Sequence, residues 1–211
     1  TPRARTCLES AGIVACEDTR RTGLLLARLG LKKRLVSYHE INAEKRLPTL
    51  ISFLRNGIDV AIVSDAGTPG VSDPAYRIVR AAVDRGVEII SIPGPSAVLA
   101  ALVVSGLPLD RFVFEGFLPS KGAARKKRLE LLKDEPRTMV IFESPHRIIR
   151  LLESLLEVMG DRSVSVSREL TKLHEETIRG PVSEVLEQLR GKKARGEYTV
   201  VLQGSGKTRK Q

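Results

Sequence analysis

An α/β architecture in two domains, the first on a mainly parallel sheet and the second on a mixed one, is what three features of this chain predict. In the first half, short β-branched runs alternate with amphipathic stretches, which is the pattern of parallel βαβ units. Gly30, Gly57, Gly86 and Gly106 stand just past those amphipathic stretches, where helices stop. After Leu107-Pro108-Leu109-Asp110 the rhythm changes, so a boundary is expected near residues 106 to 111, giving domains 1–108 and 109–211.

Taken in order, strands are expected at Ile13 to Cys16, Leu35 to Tyr38, Val60 to Ser64 and Val87 to Ile92. Helices are expected between and after them, at Thr22 to Leu29, Ala43 to Arg55, Pro74 to Arg85 and Ser96 to Val104. In the second half, strands are expected at Phe112 to Phe117, Thr138 to Phe142, Ser163 to Arg168, Glu175 to Arg179 and Glu197 to Leu202. The strands around Val166 and Ile178 are too close in sequence for a parallel crossover and should form a hairpin, which makes the sheet mixed. Helices should fill Ala123 to Lys133, Pro145 to Met159 and Pro181 to Leu189. No internal repeat is visible.

With 211 residues, 42% hydrophobic and 28% charged, the chain can bury a sizeable core, which excludes a disordered or collagen-like protein. Its 35 basic and 25 acidic residues leave a net charge of +10, favouring an anionic partner such as RNA, DNA or a phosphorylated surface. Cys7 and Cys16 do not suggest a disulfide framework, and a reducing cytoplasm fits. The longest apolar stretch, Ala97 to Val104, falls far short of the roughly 20 residues of a membrane span. The chain opens on Thr1-Pro2, with no initiator Met and no signal-peptide pattern, so residues upstream are expected.

The most informative segment runs from Val60 to Pro74, a strand leading into a loop with Gly67, Pro69 and Gly70 before a helix. Asp73 suits an N-cap there and Pro74 a first helical position. In a parallel sheet this loop lies at the carboxyl edge, where ligands bind and glycines let backbone approach them; read alone, it could equally be an ordinary connection. The next expected strand ends in Pro93-Gly-Pro-Ser-Ala97, a second rigid turn at the same edge, and two adjacent loops predict a pocket. Neither is a dinucleotide loop. Gly204-Ser-Gly-Lys-Thr208 has Val201 where a phosphate-binding P-loop needs its first glycine, and it reads as a basic tail.

Seven blocks then occur in a fixed order: Ala15-Cys-Glu-Asp-Thr-Arg20, Ser64-Asp-Ala-Gly-Thr-Pro69, Pro93-Gly-Pro-Ser-Ala97, Phe114-Glu-Gly-Phe-Leu-Pro119, Phe142-Glu-Ser-Pro-His-Arg147, Arg168-Glu-Leu-Thr-Lys172 and Gly196-Glu-Tyr198. In that order the chain resembles the tetrapyrrole-methylase-fold family (class III methyltransferases), and within it the members that make 2′-O-methylcytidine in the decoding region of small-subunit ribosomal RNA. The resemblance implies an S-adenosylmethionine cleft between two α/β domains, a homodimer, and ribosomal RNA or a ribosomal particle as partner. It also implies that Asp65, Ala66, Gly67, Thr68 and Pro69 line one side of the cofactor and Ser96 and Ala97 another. One departure stands out: family members open with a central strand ending in a Thr-Pro-Ile-Gly-Asn type loop, whereas this sequence begins in the helix after it. That strand is expected upstream.

For methyl transfer to a ribose hydroxyl, the protein must align the acceptor and assist its deprotonation. Asp18 and Arg20, with Glu17, follow a strand and could orient the nucleotide; alternatively Asp18 or Thr19 caps the next helix and Arg20 makes an exposed pair. Glu143, His146 and Arg147 follow another strand, although Ser144-Pro145 reads well as a helix start. Arg168 could hold phosphate and Glu169 could accept the hydroxyl proton, or the two could form a strand-edge ion pair with Lys172. His39, His146 and His174 show no ligand spacing with the cysteines, so no metal is predicted. Lys121, Arg125, Lys126, Lys127 and Arg128 form the densest basic run and are the expected RNA contact, while Phe112 and Phe114 are expected in the core. A C-methyltransferase of tetrapyrrole precursors and a non-catalytic RNA-binding module remain as other readings.

Overall fold

A computed structural model describes residues 1–206. The basic tail read at the C-terminus lies, from Lys207 on, outside the described residues. The chain divides into two compact units, one from Thr1 to Ser96 and one from Ala97 onward.

The first unit contains α1 (Pro2–Ser10), β1 (Ile13–Cys16), α2 (Thr19–Arg28), β2 (Arg34–Ser37), α3 (Ala43–Arg55), β3 (Val60–Val63) and α4 (Ala75–Val83). Its three strands are parallel in the order β2-β1-β3, with Ile13 opposite both Arg34 and Val60. All four residues of β1 are buried because this strand is paired on both sides and covered on both faces. Leu8 of α1 and Leu26 of α2 pack with Val14 on one face, and Leu50 and Ile51 of α3 with Ile78 of α4 pack over Ala15 on the other.

The four expected glycine stops all take left-handed φ values between 69° and 73°. At Gly30 the helix end is closed by the Leu31 amide donating to the Leu26 carbonyl, a geometry that a side chain at Gly30 would strain. The strand expected at Val87 to Ile92 is not formed. Among the described residues no strand pairs with this segment, Ile89 and Ile90 are exposed, and β3 ends the sheet on that side. β-branched composition makes a strand only where a ladder partner takes up its backbone groups.

The second unit contains α5 (Ala97–Ser105), β4 (Phe112–Phe117), α6 (Gly122–Leu132), β5 (Thr138–Glu143), α7 (Ile148–Met159), β6 (Ser163–Arg168), β7 (Glu176–Pro181), α8 (Val182–Arg190) and β8 (Tyr198–Leu202). The sheet order is β4-β5-β8-β6-β7, with β4 and β5 parallel and the other pairs antiparallel. β6 and β7 form the expected hairpin, with Val166 opposite Ile178. Met139 and Ile141 of β5 face α6, α7 and α8, while Val140 and Val201 face Val98, Ala101 and Leu102 of α5. By these contacts α5 belongs with the second sheet, although the sequence rhythm grouped it with the first.

Three local expectations need correction. α7 begins at Ile148 and not at Pro145, because the Glu143 carboxylate takes the Ser144 amide (2.8 Å) and the Arg147 guanidinium (2.8 Å), tying the first turn back to the strand end. α2 begins at Thr19, three residues early, because Asp18 caps it. Phe112 is 38% exposed on the edge strand β4, whereas Phe114 packs edge-on against Phe142 with ring centres 4.9 Å apart.

After β8 the chain is held by the Ser205 amide, which donates to the Glu135 carbonyl (2.7 Å). A Cβ at the buried Gly204 would lie 2.1 Å from the Pro136 carbonyl oxygen, a contact with backbone that cannot swing away. Gly204→Ala is therefore expected to lower stability by about 1–3 kcal/mol. Urea unfolding checks this, with Gln203→Ala, exposed, expected within about 0.5 kcal/mol of the parent.

Candidate functional site

At the carboxyl edge of the first sheet, the loops after β1 and β3 are joined through Asp65. Its Oδ1 accepts from the Asp18 amide at 3.3 Å, and Arg21 Nη1 lies 3.5 Å from its Oδ2. Beyond Asp65, Thr68 Oγ1 donates to the Pro95 carbonyl at 2.9 Å, so the 64–70 and 93–96 loops are braced against each other. Gly67, with φ +80°, lies at this contact: a Cβ there would sit 3.7 Å from the same carbonyl. Asp73 accepts from the Gly70 amide with both oxygens (2.8 Å each) and from Ala75 N (2.8 Å). The expected N-cap is displaced by one residue: Pro74 takes that position and the helix starts at Ala75, while Asp73 ties the Gly70 turn to the first helical amide.

The structure therefore brings Asp65, Ala66, Gly67, Thr68 and Pro69 together with the Pro93–Ser96 turn. Ala66 and Gly67 are exposed, Asp65, Thr68, Pro69 and Ser96 half-buried, and Ala97 is the exposed first residue of α5. Asp18 accepts from Arg20 N at 2.8 Å and pairs with its guanidinium, also at 2.8 Å. These bonds hold the Asp18 carboxyl far below the usual carboxylate range. Such a group is a helix cap and an anchor for Arg20, and a poor proton acceptor at neutral pH.

Glu17, one residue earlier, has the opposite character. It is half-buried, and burial first, then the neighbouring Asp65 and Asp73, raise its carboxyl. With Tyr38, Ser64, Pro69 and Asp73 it lines a small cavity behind the loop. Its place after a strand end marks it in the sequence, but its proton affinity comes from carboxylates on another loop.

In the second unit, the Arg168–Lys172 and Gly196–Tyr198 blocks meet. Glu169 Oε1 accepts from Lys172 Nζ (2.9 Å) and from the Glu197 amide (3.0 Å), and Lys172 also pairs with Glu197 (2.9 Å). Gly196, with φ +77°, is required here, since a Cβ would lie 2.4 Å from the Glu169 side chain. The Lys172 ammonium and the Glu197 amide hold the Glu169 carboxyl below its ordinary range. Arg168 Nη2 lies 3.2 Å from Glu176 Oε2, and Glu176 is also paired with Lys192.

The basic run on α6 is dispersed by the fold. Arg125 is buried at 5% exposure, its Nε donating to Ser154 Oγ on α7 (3.1 Å), which corrects its expected place on an RNA-facing surface. Lys126 is paired with Glu157 (2.6 Å) and Arg128 with Glu115 (2.6 Å). Lys121 and Lys127 stay exposed without an ion-pair partner among the described residues. Glu143 is fully buried against Arg147, a structural pair, while His146 is exposed.

Comparison with known proteins decides the family. A family profile described as Tetrapyrrole (Corrin/Porphyrin) Methylases matches residues 1–186. The chain belongs to this family. A Thermotoga maritima member, "Ribosomal RNA small subunit methyltransferase I", is 47% identical over 204 residues, covering 97% of this chain and 91% of the relative. A protein of the same name from Escherichia coli O157:H7 is 41% identical over 207 residues, covering 97% and 72%. Among solved structures, the cobalamin biosynthetic enzyme cobalt precorrin-4 methyltransferase superposes with a TM-score of 0.69 over 99% of this chain and 90% of that one, at 17% identity. The methylase fold is thus shared well beyond sequence similarity.

In this member of the family, the Glu169 lock has a pH signature. Because the folded-state value lies below the ordinary one near 4.5, its contribution is present above that pH and is lost as pH falls through the depressed value. Glu169→Gln should be less stable than the parent at neutral pH, with the gap closing in acid; denaturant unfolding along a pH series checks this.

Proposed function

We propose that this protein transfers a methyl group from S-adenosylmethionine to the 2′-hydroxyl of a cytidine in the decoding region of small-subunit ribosomal RNA. The observation that carries the reading is the 47% identity, over nearly the whole of both chains, to a relative named for methylating small-subunit ribosomal RNA. A net charge of +10 suits a polyanionic substrate. The family resemblance adds a homodimer as the expected state.

The first-unit loops fit the cofactor. Small residues at 66, 67, 70 and 94 and the Thr68–Pro95 brace present backbone groups instead of long side chains, so a ligand can lie close to the chain. Asp65, Ala66, Gly67, Thr68 and Pro69 would hold it from one loop, and Ser96 and Ala97 from the end of the other. When bound, S-adenosylmethionine supplies a methyl already activated on its sulfonium. What remains for the protein is alignment and the hydroxyl proton.

Glu17 takes that proton in this reading, since burial and the Asp65 and Asp73 charges raise its affinity for one, while Asp18 and Glu169 are held ionised by their partners. Arg20, exposed and aimed by Asp18, orients a nucleotide phosphate. In the second unit Arg168 is a phosphate contact, and Glu169 is a positioning residue that holds the 168–172 segment to residue 197. Lys121 and Lys127 are what remains of the α6 contact.

Labelled methyl from S-adenosylmethionine should appear as 2′-O-methylcytidine, identified by mass, in small ribosomal subunits that lack the modification, and none should appear when the target carries 2′-deoxycytidine. Label entering uroporphyrinogen instead would shift the assignment to tetrapyrrole C-methylation; salt-sensitive RNA binding without cofactor affinity would leave only a binding module. Glu17→Gln should lower kcat by about 10²- to 10⁴-fold with cofactor affinity retained. Thr68→Val, losing the brace to Pro95, should weaken cofactor binding about five-fold by calorimetry.

A further inference from the structure

The parallel topology of the first unit gathers cations at the edge opposite the loops described above. α2 starts at the carboxyl end of β1 and runs back to Arg28; the chain turns at Gly30 and enters β2 through Lys32, Lys33 and Arg34. α3 runs the same way and ends at Arg55, just before β3. Because β1, β2 and β3 start in register, with Ile13 opposite Arg34 and Val60, these positions converge on the amino edge of one sheet. The Arg34 guanidinium lies 5.0 Å from the Phe53 ring, which joins the start of β2 to the last turn of α3.

One cation of this group has an internal task. Lys33 Nζ donates to the Glu9 and Ala11 carbonyls (2.5 and 2.9 Å) and so holds the end of α1. Arg28, Lys32, Arg34 and Arg55 are all exposed, and no carboxylate lies within ion-pair distance of any of them among the described residues. Of the nearby acids, Glu9 is engaged by Arg5 at 2.8 Å, and Asp59, whose carbonyl accepts from the Gly12 and Ile13 amides at this same edge, makes no ion pair with any of the four among the described residues. This contrasts with α6, where Lys126 and Arg128 are neutralised and Arg125 is buried. Four like charges without counter-charges repel one another in the free protein, and a polyanion laid across them relieves that repulsion while releasing its own counterions.

We propose that Arg28, Lys32, Arg34 and Arg55 form a second RNA-binding surface that grips phosphates of the small-subunit ribosomal RNA away from the methylated nucleotide. This surface rests on the RNA reading above and extends it, since it accounts for the charge that the loop site leaves unused. Such contacts set affinity and register and carry no base specificity.

The test is the triple variant Arg28→Gln/Lys32→Gln/Arg55→Gln in the full chain, which leaves the Arg34–Phe53 contact intact. Binding to small ribosomal subunits and to a short duplex RNA is measured along a salt series, beside cofactor binding and methyl transfer. The expected result is a salt slope reduced by about three, roughly one for each cation, an affinity for subunits about ten-fold lower at physiological salt, and unchanged cofactor affinity. The single variant Lys32→Gln should lower the slope by about one. An unchanged slope and affinity in the triple variant overturns the proposal even if the parent methylates subunits. A parent that binds RNA with the expected slope change but methylates no RNA leaves this surface standing and removes the methyl-transfer reading instead.

Discussion

The in-register parallel pairing of β1 with both β2 and β3 is the constraint on which the first unit rests. A strand paired on both sides and covered on both faces cannot slip without turning Val14 and Ala15 out of their cores. Its register therefore places Glu17 and Asp18 beside the loop that leaves β3, and the Asp18 amide meets the Asp65 carboxylate there. The same register collects the helix ends and their cations at the opposite edge. One ladder thus sets the glycine-rich loops on one rim and Arg28, Lys32, Arg34 and Arg55, unpaired among the described residues, on the other.

The second unit uses its charges differently. Glu143 with Arg147 fixes the end of β5 to the start of α7, Glu169 with Lys172 holds the loop after β6 to residue 197, and Arg125 is enclosed between two helices. A charge removed from water must be compensated by nearby hydrogen bonds or an opposite charge. The buried Glu143 and Arg125 are consequently structural charges, whereas Glu169 and Lys172 pair at the surface. The distinction matters chemically, because a carboxylate already holding an ammonium and an amide has little tendency to take a further proton.

Most of the fold was legible in the residues. Strand Ser163–Arg168 and its hairpin partner and the four glycine stops follow from local chemistry: alternation and left-handed backbone. The failures share one cause. Val87 to Ile92 has a strand's composition but no strand among the described residues to pair with, α5 is apolar all round and so gives no sign of which sheet it covers, and the basic run on α6 reads as one surface until Ser154 and Glu157 of α7 are packed against it. Each outcome is decided by a partner distant in the chain.

The sequence by itself determined the α/β class, the two Gly/Pro-rich loops at residues 64–70 and 93–96 and the family, because ordered motif blocks and helix and strand periodicity are properties of neighbouring residues. Only the tertiary structure decided which acids and bases are available for chemistry. Proton affinity and free charge depend on burial and on partners such as Asp65 beside Glu17, Lys172 beside Glu169 and Glu115 beside Arg128, and the fold alone sets those distances.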